Sequence, residues 1–190
     1  MRYEKGHKDE TRQRIIEVAA RQFRENGFAA AGVAGLMAEA GLTNGAFYAH
    51  FDSKEDLLRA VLADAYGRRE QTLRNNLETG KGLEGTLRDY LSPRHRDDPG
   101  HGCPTAAMAA EIARHPKRTR DAFTGKVYSL VELMAAQIES GTAAERRRTA
   151  VALYGLMIGT LQLARAVNDR KLSDEILESG IDAALTLADG

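Results

Sequence analysis

The stretch from Gly27 to Glu55, GFAAAGVAGLMAEAGLTNGAFYAHFDSKE, constrains the fold of this chain most tightly. Val33, Leu36, Met37 and Ala40 recur at helical spacing, so a short helix over Val33–Ala40 must bury one face. Gly41 stops it, because glycine takes the left-handed conformation past a helix end at little cost. Leu42 plugs the corner, and Thr43 stands where its side-chain oxygen can cap a second helix near Asn44–His50. That segment is expected to bury Phe47 and Phe51 and to leave Asn44, Ala46, Tyr48 and His50 partly outward. Ser53 starts a third helix, with Lys54 in its first turn. Two helices joined by a short turn containing Gly form a helix-turn-helix, whose second helix enters the major groove of DNA.

The residues GLTNGAFYAHFDSKEDLL, preceded upstream by TRQRIIEVAARQFRENGF, resemble the DNA-binding domain of the TetR family of bacterial transcriptional repressors. The close match covers roughly residues 9–58. The resemblance implies an all-α fold of about nine helices. A three-helix DNA-binding domain would span residues 1–52, and a helical effector-binding and dimerisation domain residues 53–190. It also implies a double-stranded operator as partner, a homodimer, and a small effector that releases the DNA. By resemblance, Tyr48 and His50 contact phosphates. Asn44 has the groups to pair bidentately with adenine, and Ala46 or an exposed Phe47 edge can meet a thymine methyl. Gly45 lets the backbone come close to DNA, and Lys54 at a helix start favours a phosphate. Thr43 completes the expected DNA-contacting set. Ala31 and Gly32 depart from the family pattern, where Thr or Ser is usual. Met37 stands where a small Ala is usual.

Composition narrows the alternatives. The 27 basic and 27 acidic residues cancel, which argues against a non-specific nucleic-acid binder. Residues 1–24 nevertheless carry seven Lys/Arg against four Asp/Glu, beside the proposed reading helix. In Met1–Lys8, Arg2, Lys5 and Lys8 form either a frayed terminus or an arm on the DNA. One Cys rules out a disulfide framework, and the polar start of the chain shows no signal peptide. A cytoplasmic protein is the expectation.

Further along, Asp9–Asn26 is amphipathic, with Ile15, Ile16, Ala19 and Phe23 on one face. Leu57 to Tyr66 opens a long helix reaching about Asn76. Gly80–Gly85 matches G-x-G-x-x-G in form only, since no strand precedes it. Ser92–Gly102 reads as a loop, with two Pro and two Gly. His95, His101 and Cys103 fit no zinc spacing, so no metal is assigned. No cofactor is implied either. Cys103 precedes Pro104 at the start of a helix over Thr105–Arg114, where the macrodipole favours a thiolate. It reads as a small buried residue, with a sensing thiol as the alternative; some TetR-family sensors use a Cys in a similar Gly-Cys setting. Arg118–Glu139, Ala143–Asn168 and Ser173–Ala188 complete the helices.

The sixteen residues Thr149–Ala164 carry no charge, short of the roughly twenty needed to span a bilayer. Their apolar groups cover more than one face, so one side can meet a second copy. Val151, Gly155, Ile158, Gly159, Leu177, Ile181 and Leu185 are the expected dimer residues. Tyr66, Tyr90, Met108, Phe123, Tyr128, Tyr154 and Met157 are candidate linings of an effector pocket, and suit an apolar or aromatic ligand. No nucleophile–base–acid set is visible, so no catalytic residue is assigned. A helical protein-interaction module is the remaining alternative to a DNA-binding regulator.

Overall fold

The computed structural model describes residues 2–189, with side chains from Gly6 onward. The side chains of Arg2 and Lys5 in the expected arm lie outside that range. Among the described residues there are ten α-helices, one 3-10 turn and no strand.

α1 (Arg2–Asn26) starts well before Asp9, so the backbone of the expected arm is already helical. It buries Ile15, Ile16, Ala19, Ala20 and Phe23 on one side. Gly27 at φ +82° turns the chain out of it. α2 (Val33–Glu39) follows, with Leu36 and Met37 buried. Met37 fills the helix-turn-helix core completely. The Gly32 N-cap has no side-chain cap, and a Cβ there would meet nothing within 4 Å. Gly41 at φ +68° makes the turn to α3 (Asn44–Tyr48).

α4 (Lys54–Glu78) is capped by Ser53, whose hydroxyl accepts the Asp56 N–H at 3.1 Å. It packs on α1, with Gln13 donating to Asp64 at 3.2 Å. α8 (Lys117–Ala135) runs alongside it in the same direction: Glu55 meets Thr119, Tyr66 meets Phe123 and Glu70 meets Lys126. α4 therefore belongs to both halves of the molecule, and the hydrophobic core runs through it without a break.

The Pro-rich segment expected as a loop is ordered by its own caps. Ser92 accepts from His95 N at 3.2 Å at the start of α6 (Pro93–Asp97), which follows α5 (Gly82–Tyr90). Asp98 accepts from His101 N at 3.3 Å over the 3-10 turn Pro99–His101. Arg96 of α6 is buried and donates to Ser173 at 2.8 Å and Asp174 at 2.5 Å. This anchors α6 to α10 (Arg170–Asp189). α7 (Pro104–Ile112) follows directly.

α9 (Ala143–Ala166) opens with a capping box between Thr142 and Glu145. It lies against α10 so closely that a Cβ on Gly180 would fall 2.4 Å from Thr160 Cγ2. Gly155 and Gly159, by contrast, are exposed and have nothing within 4 Å of an added Cβ. Val151 and Leu163 lie on the same side of α9, 52% and 54% exposed. Leu177 is a correction: it is buried inside the protomer beneath α9 and cannot reach a partner. Ile158, Ile181 and Leu185 are half-buried against the core. No helix among the described residues is long and apolar enough to cross a membrane.

Candidate nucleic-acid interface

α3 presents a short polar edge on an aromatic base. Thr43, Asn44 and Gly45 are exposed and Ala46 is half-buried. Thr43 occupies the N-cap in extended conformation (φ −82°, ψ 155°), but its hydroxyl caps no N–H, contrary to expectation. A Cβ on Gly45 would meet only Thr43 Oγ, at 4.0 Å, so the fold itself leaves room there and an approaching partner meets bare backbone. Tyr48 is 73% exposed, its ring edge-on to Phe47 at 5.2 Å.

Two of the expected contacts are placed otherwise. Phe47 is 1% exposed and packs on Phe51 with centroids 5.7 Å apart; it is the plug that orients α3 and has no edge to offer a thymine methyl. Lys54 turns inward. Its ammonium donates to the Phe28 carbonyl and lies 4.1 Å from the centre of the Phe28 ring. Burial holds its pKa below the usual lysine range, with Glu111 and Glu55 opposing that shift. Lys54 braces the loop between α1 and α2 and is not a free phosphate cation. Lys8 and Arg12, both exposed on α1, are the cations that act on His50. Arg12 stacks over Phe51 at 4.9 Å. His50 is half-buried, with its Nδ1 enclosed and unpartnered. Burial lowers its pKa below 6.5, and Lys8 and Arg12 push the same way. The i, i+4 spacing of Lys8 and Arg12 was the available signal for Arg12.

The reading unit is tied to the rest of the chain by acids from afar. Glu111, at the end of α7, accepts the N–H of Phe28 at 2.9 Å and of Ala29 at 3.0 Å. Glu55 on α4 bonds His115 at 2.8 Å and accepts the Thr119 hydroxyl at 2.7 Å. His115 is also edge-on to Phe28 at 4.7 Å. Nothing local in the sequence marks Glu111 or Glu55.

At the other end of α7 lies a cavity of about 30 Å³, with Leu73, Leu130, Met134 and Met157 as apolar walls. Tyr90 and Tyr154 line it, as expected, together with Cys103 and Arg69. Tyr66 is buried nearby: its hydroxyl bonds Thr105, which in turn bonds Tyr154 at 2.6 Å. Burial raises the pKa of both tyrosines. Phe123 packs on Tyr66 at 6.1 Å, and Met108 is buried core away from the lining. Tyr128 is 55% exposed under Arg147 and is not part of this pocket.

Cys103 is buried at the N-cap of α7. Its N–H donates to His95 Nε2 at 2.9 Å, and His95 Nδ1 lies 2.7 Å from the Tyr90 carbonyl, so the ring is held neutral with its proton on Nδ1. Burial and Arg69 lower the His95 pKa to about 4. For the thiol, burial pushes upward, but Arg69, the Tyr90 hydroxyl and the N–H groups of Ala106 and Thr105 outweigh it. The net direction is down from the ordinary thiol value.

Residues 15–61 match the model of bacterial regulatory proteins of the tetR family, and residues 81–179 match the tetracyclin repressor-like C-terminal domain. The chain belongs to the TetR family. The TetR-family repressor NemR of Escherichia coli K12 is 25% identical over 165 residues, 79% of this chain and 81% of that one. A solved structure of E. coli NemR in reduced form superposes with a TM-score of 0.80 at 23% identity, covering 93% of this chain and 96% of that one. A TetR-family regulator from Cytophaga hutchinsonii gives 0.77 at 25% identity, covering 95% and 96%. The regulator YerO of Bacillus subtilis is 33% identical over 95 residues; these are 49% of this chain and only a third of YerO's length. As a TetR-family member the protein is a DNA-binding transcriptional regulator with an N-terminal helix-turn-helix and a C-terminal helical domain. α3 lies within the segment that matches the family's N-terminal model and rests on Phe47 and Phe51.

Proposed function

We propose that this TetR-family regulator is a homodimeric, cytoplasmic repressor that reads a palindromic operator and leaves it when a small effector enters the cavity between α4, α5, α8 and α9, beside Cys103. The reading rests on one observation above all. α3 exposes Asn44, Gly45 and Tyr48, beside the cations Lys8 and Arg12, from a helix pinned by buried Phe47. Asn44 has the donor and acceptor to read adenine, and Ala46 can meet a thymine methyl. Tyr48, Thr43 and His50 reach phosphates, while Lys8 and Arg12 supply counterion release. The apolar side of α9, with Val151, Gly155, Gly159 and Leu163, supports pairing with a second copy. Two copies would set their reading helices on successive turns of one face of the duplex.

A mobility-shift titration with DNA from upstream of the protein's own gene tests this. The expected result is a discrete complex at nanomolar protein that survives an excess of unrelated DNA. A shift that unrelated DNA abolishes equally well would overturn the reading.

A second reading of the effector is supported by the Cys103 surroundings. The thiol sits at a helix start beside Arg69 and Tyr90, all of which favour the thiolate. The similar protein NemR has been solved in a form described as reduced. Under this reading an electrophile or oxidant modifies Cys103 and releases the operator. Alkylation with iodoacetamide should then release DNA from the native protein and not from Cys103→Ser. Unchanged DNA binding by the fully alkylated protein would end this reading.

A further inference from the structure

Arg69 lies where an outer recess meets the inner cavity. It lines a surface recess of about 370 Å³ together with Arg94 and His95, and it also lines the cavity beside Tyr90 and Cys103. A neighbouring recess of about 140 Å³ adds Arg24 and Arg68. Two acids line the same recess, and Asp89 lines the cavity as well; Asp98 is held by His101 and Asp89 lies 3.7 Å from Lys81, while Asp64 pairs with Arg68. Among the described residues neither Arg69 nor Arg94 has a carboxylate partner. Arg69 only stacks on the Tyr90 ring at 4.8 Å and approaches His95 Nε2 at 3.5 Å. Its other donors make no hydrogen bond to the described residues.

The inner side carries an independent sign. The Tyr90 hydroxyl is enclosed on a residue 4% exposed, bonds no oxygen or nitrogen, and has the Cys103 thiol as its polar neighbour. Sulfur accepts weakly, so an incoming carboxylate oxygen would be the stronger partner for that hydroxyl. The local excess of positive charge is felt by its neighbours. Burial and then Arg68 hold the Arg24 pKa down to about 10, and Arg94 is among the cations that depress His95.

We propose that Arg69 and Tyr90 form the head-group site for an amphiphilic monocarboxylate, whose apolar tail enters between Leu73, Leu130, Met134 and Met157. The carboxylate takes a charge-assisted bond from Arg69 and a second from the Tyr90 hydroxyl. The tail cannot fit the structure as it stands, since about 30 Å³ holds little more than one water. It binds only a form in which α4, α8 and α9 have moved apart, and that differential affinity is what a releasing effector requires. Arg69 and Lys54 lie on the same helix, about 22 Å apart at 1.5 Å per residue, so the head-group site and the loop brace share one rod. The proposal deepens the effector reading above; only its DNA readout depends on the repressor function, and the binding itself does not.

The test is calorimetric titration of the full chain with decanoate, decanol, decylamine and acetate, each below its micelle concentration. Decanoate should bind saturably and raise the melting temperature. Decanol should bind at least about tenfold more weakly, and decylamine and acetate not detectably. Arg69→Gln should weaken decanoate at least about tenfold and leave decanol unchanged, while Arg69→Lys keeps most of the affinity. If Arg69→Gln does not fold, Arg94→Glu should weaken decanoate severalfold by the same logic. Cys103→Ser should keep decanoate binding, and bound decanoate should slow iodoacetamide alkylation of Cys103 in the native protein. Equal affinity for decanoate and decylamine, or an unchanged affinity in Arg69→Gln, would overturn the proposal. A protein that binds decanoate through Arg69 but no operator keeps this site and loses the repressor reading. One that binds its operator and ignores decanoate does the reverse.

Discussion

Glu111→Ala removes the contact by which the effector domain grips the reading unit. The carboxylate accepts two backbone N–H groups, Phe28 at 2.9 Å and Ala29 at 3.0 Å, and lies 3.5 Å from where a Cβ on Gly27 would stand. Bonds of this charged kind are worth roughly 1.5–3 kcal/mol each when sheltered. The Ala29 bond is exposed to water and the Phe28 bond only partly sheltered, so the pair together is worth about 2 kcal/mol. At roughly 2–4 °C per kcal/mol for a chain of this size, Glu111→Ala should melt about 4–8 °C lower. Glu111→Gln should fall between, since one oxygen can still accept. The larger effect is on coupling. α7 runs from Cys103 at the cavity to Glu111 on the loop between α1 and α2, so without the carboxylate that connection is lost and the one through α4 and Lys54 is left. Operator affinity without effector should fall by less than about tenfold, while the change in affinity on adding effector becomes smaller. Circular-dichroism melting and fluorescence anisotropy on labelled operator measure both. A melting temperature within about 1 °C of the parent, together with an undiminished effector response, would refute a linking role for Glu111.

Three other perturbations follow from the same geometry. Asn44→Ala should relax sequence preference, costing about 1–3 kcal/mol on the cognate site and little on unrelated DNA, whereas Tyr48→Ala should weaken all sequences alike; competition shifts with point-mutated operators separate the two, and equal loss across sequences for Asn44→Ala would sink its base-reading role. Charging the α9 face with Val151→Glu and Leu163→Glu, both on exposed side chains, should leave a folded monomer by sedimentation with operator affinity at least about tenfold lower, because the half-sites lose their linkage; a dimer that persists would move the interface elsewhere. The His95 pKa, held at about 4 against 6.5 for a free histidine, sets a pH dependence: the neutral ring favours the fold above pH 6.5, and that contribution is lost as pH falls towards 4. After discounting for its partly exposed ring it amounts to about 2 kcal/mol, so urea unfolding of His95→Asn should lose less stability over that pH interval than the parent.

What could be read from the chain is what neighbouring residues decide among themselves. Gly41 stops α2 and Ser53 starts α4 through conformations and bonds within four residues, and both stand where the sequence puts them. The failures share a different cause. Phe47 turns inward and Tyr48 outward as their spacing says, but the expected exposed edge of Phe47 is closed off by its packing on Phe51, which the spacing does not show. Lys54 has a stem long enough to reach either a phosphate or the Phe28 carbonyl, and the carbonyl lies 26 residues upstream. Leu177 belongs to an apolar stripe of which only part is buried in the core, and periodicity cannot say where the buried part ends. Tyr128 and Tyr154 are equal as residue types, yet one is outside and one lines the cavity. The reading surface is thus largely local, while its control is not. Glu111 reaches a loop 83 residues away and Glu55 a hydroxyl 64 residues away, each from a helix whose own pattern accounts for it as an ordinary exposed acid. A regulator can therefore keep a recognisable reading helix while the route from effector to DNA is rewritten by single acids. In this chain two helices connect the loop carrying Phe28 to the cavity: α4, from Lys54 on the Phe28 carbonyl to Arg69, and α7, from Glu111 on the Phe28 N–H to Cys103.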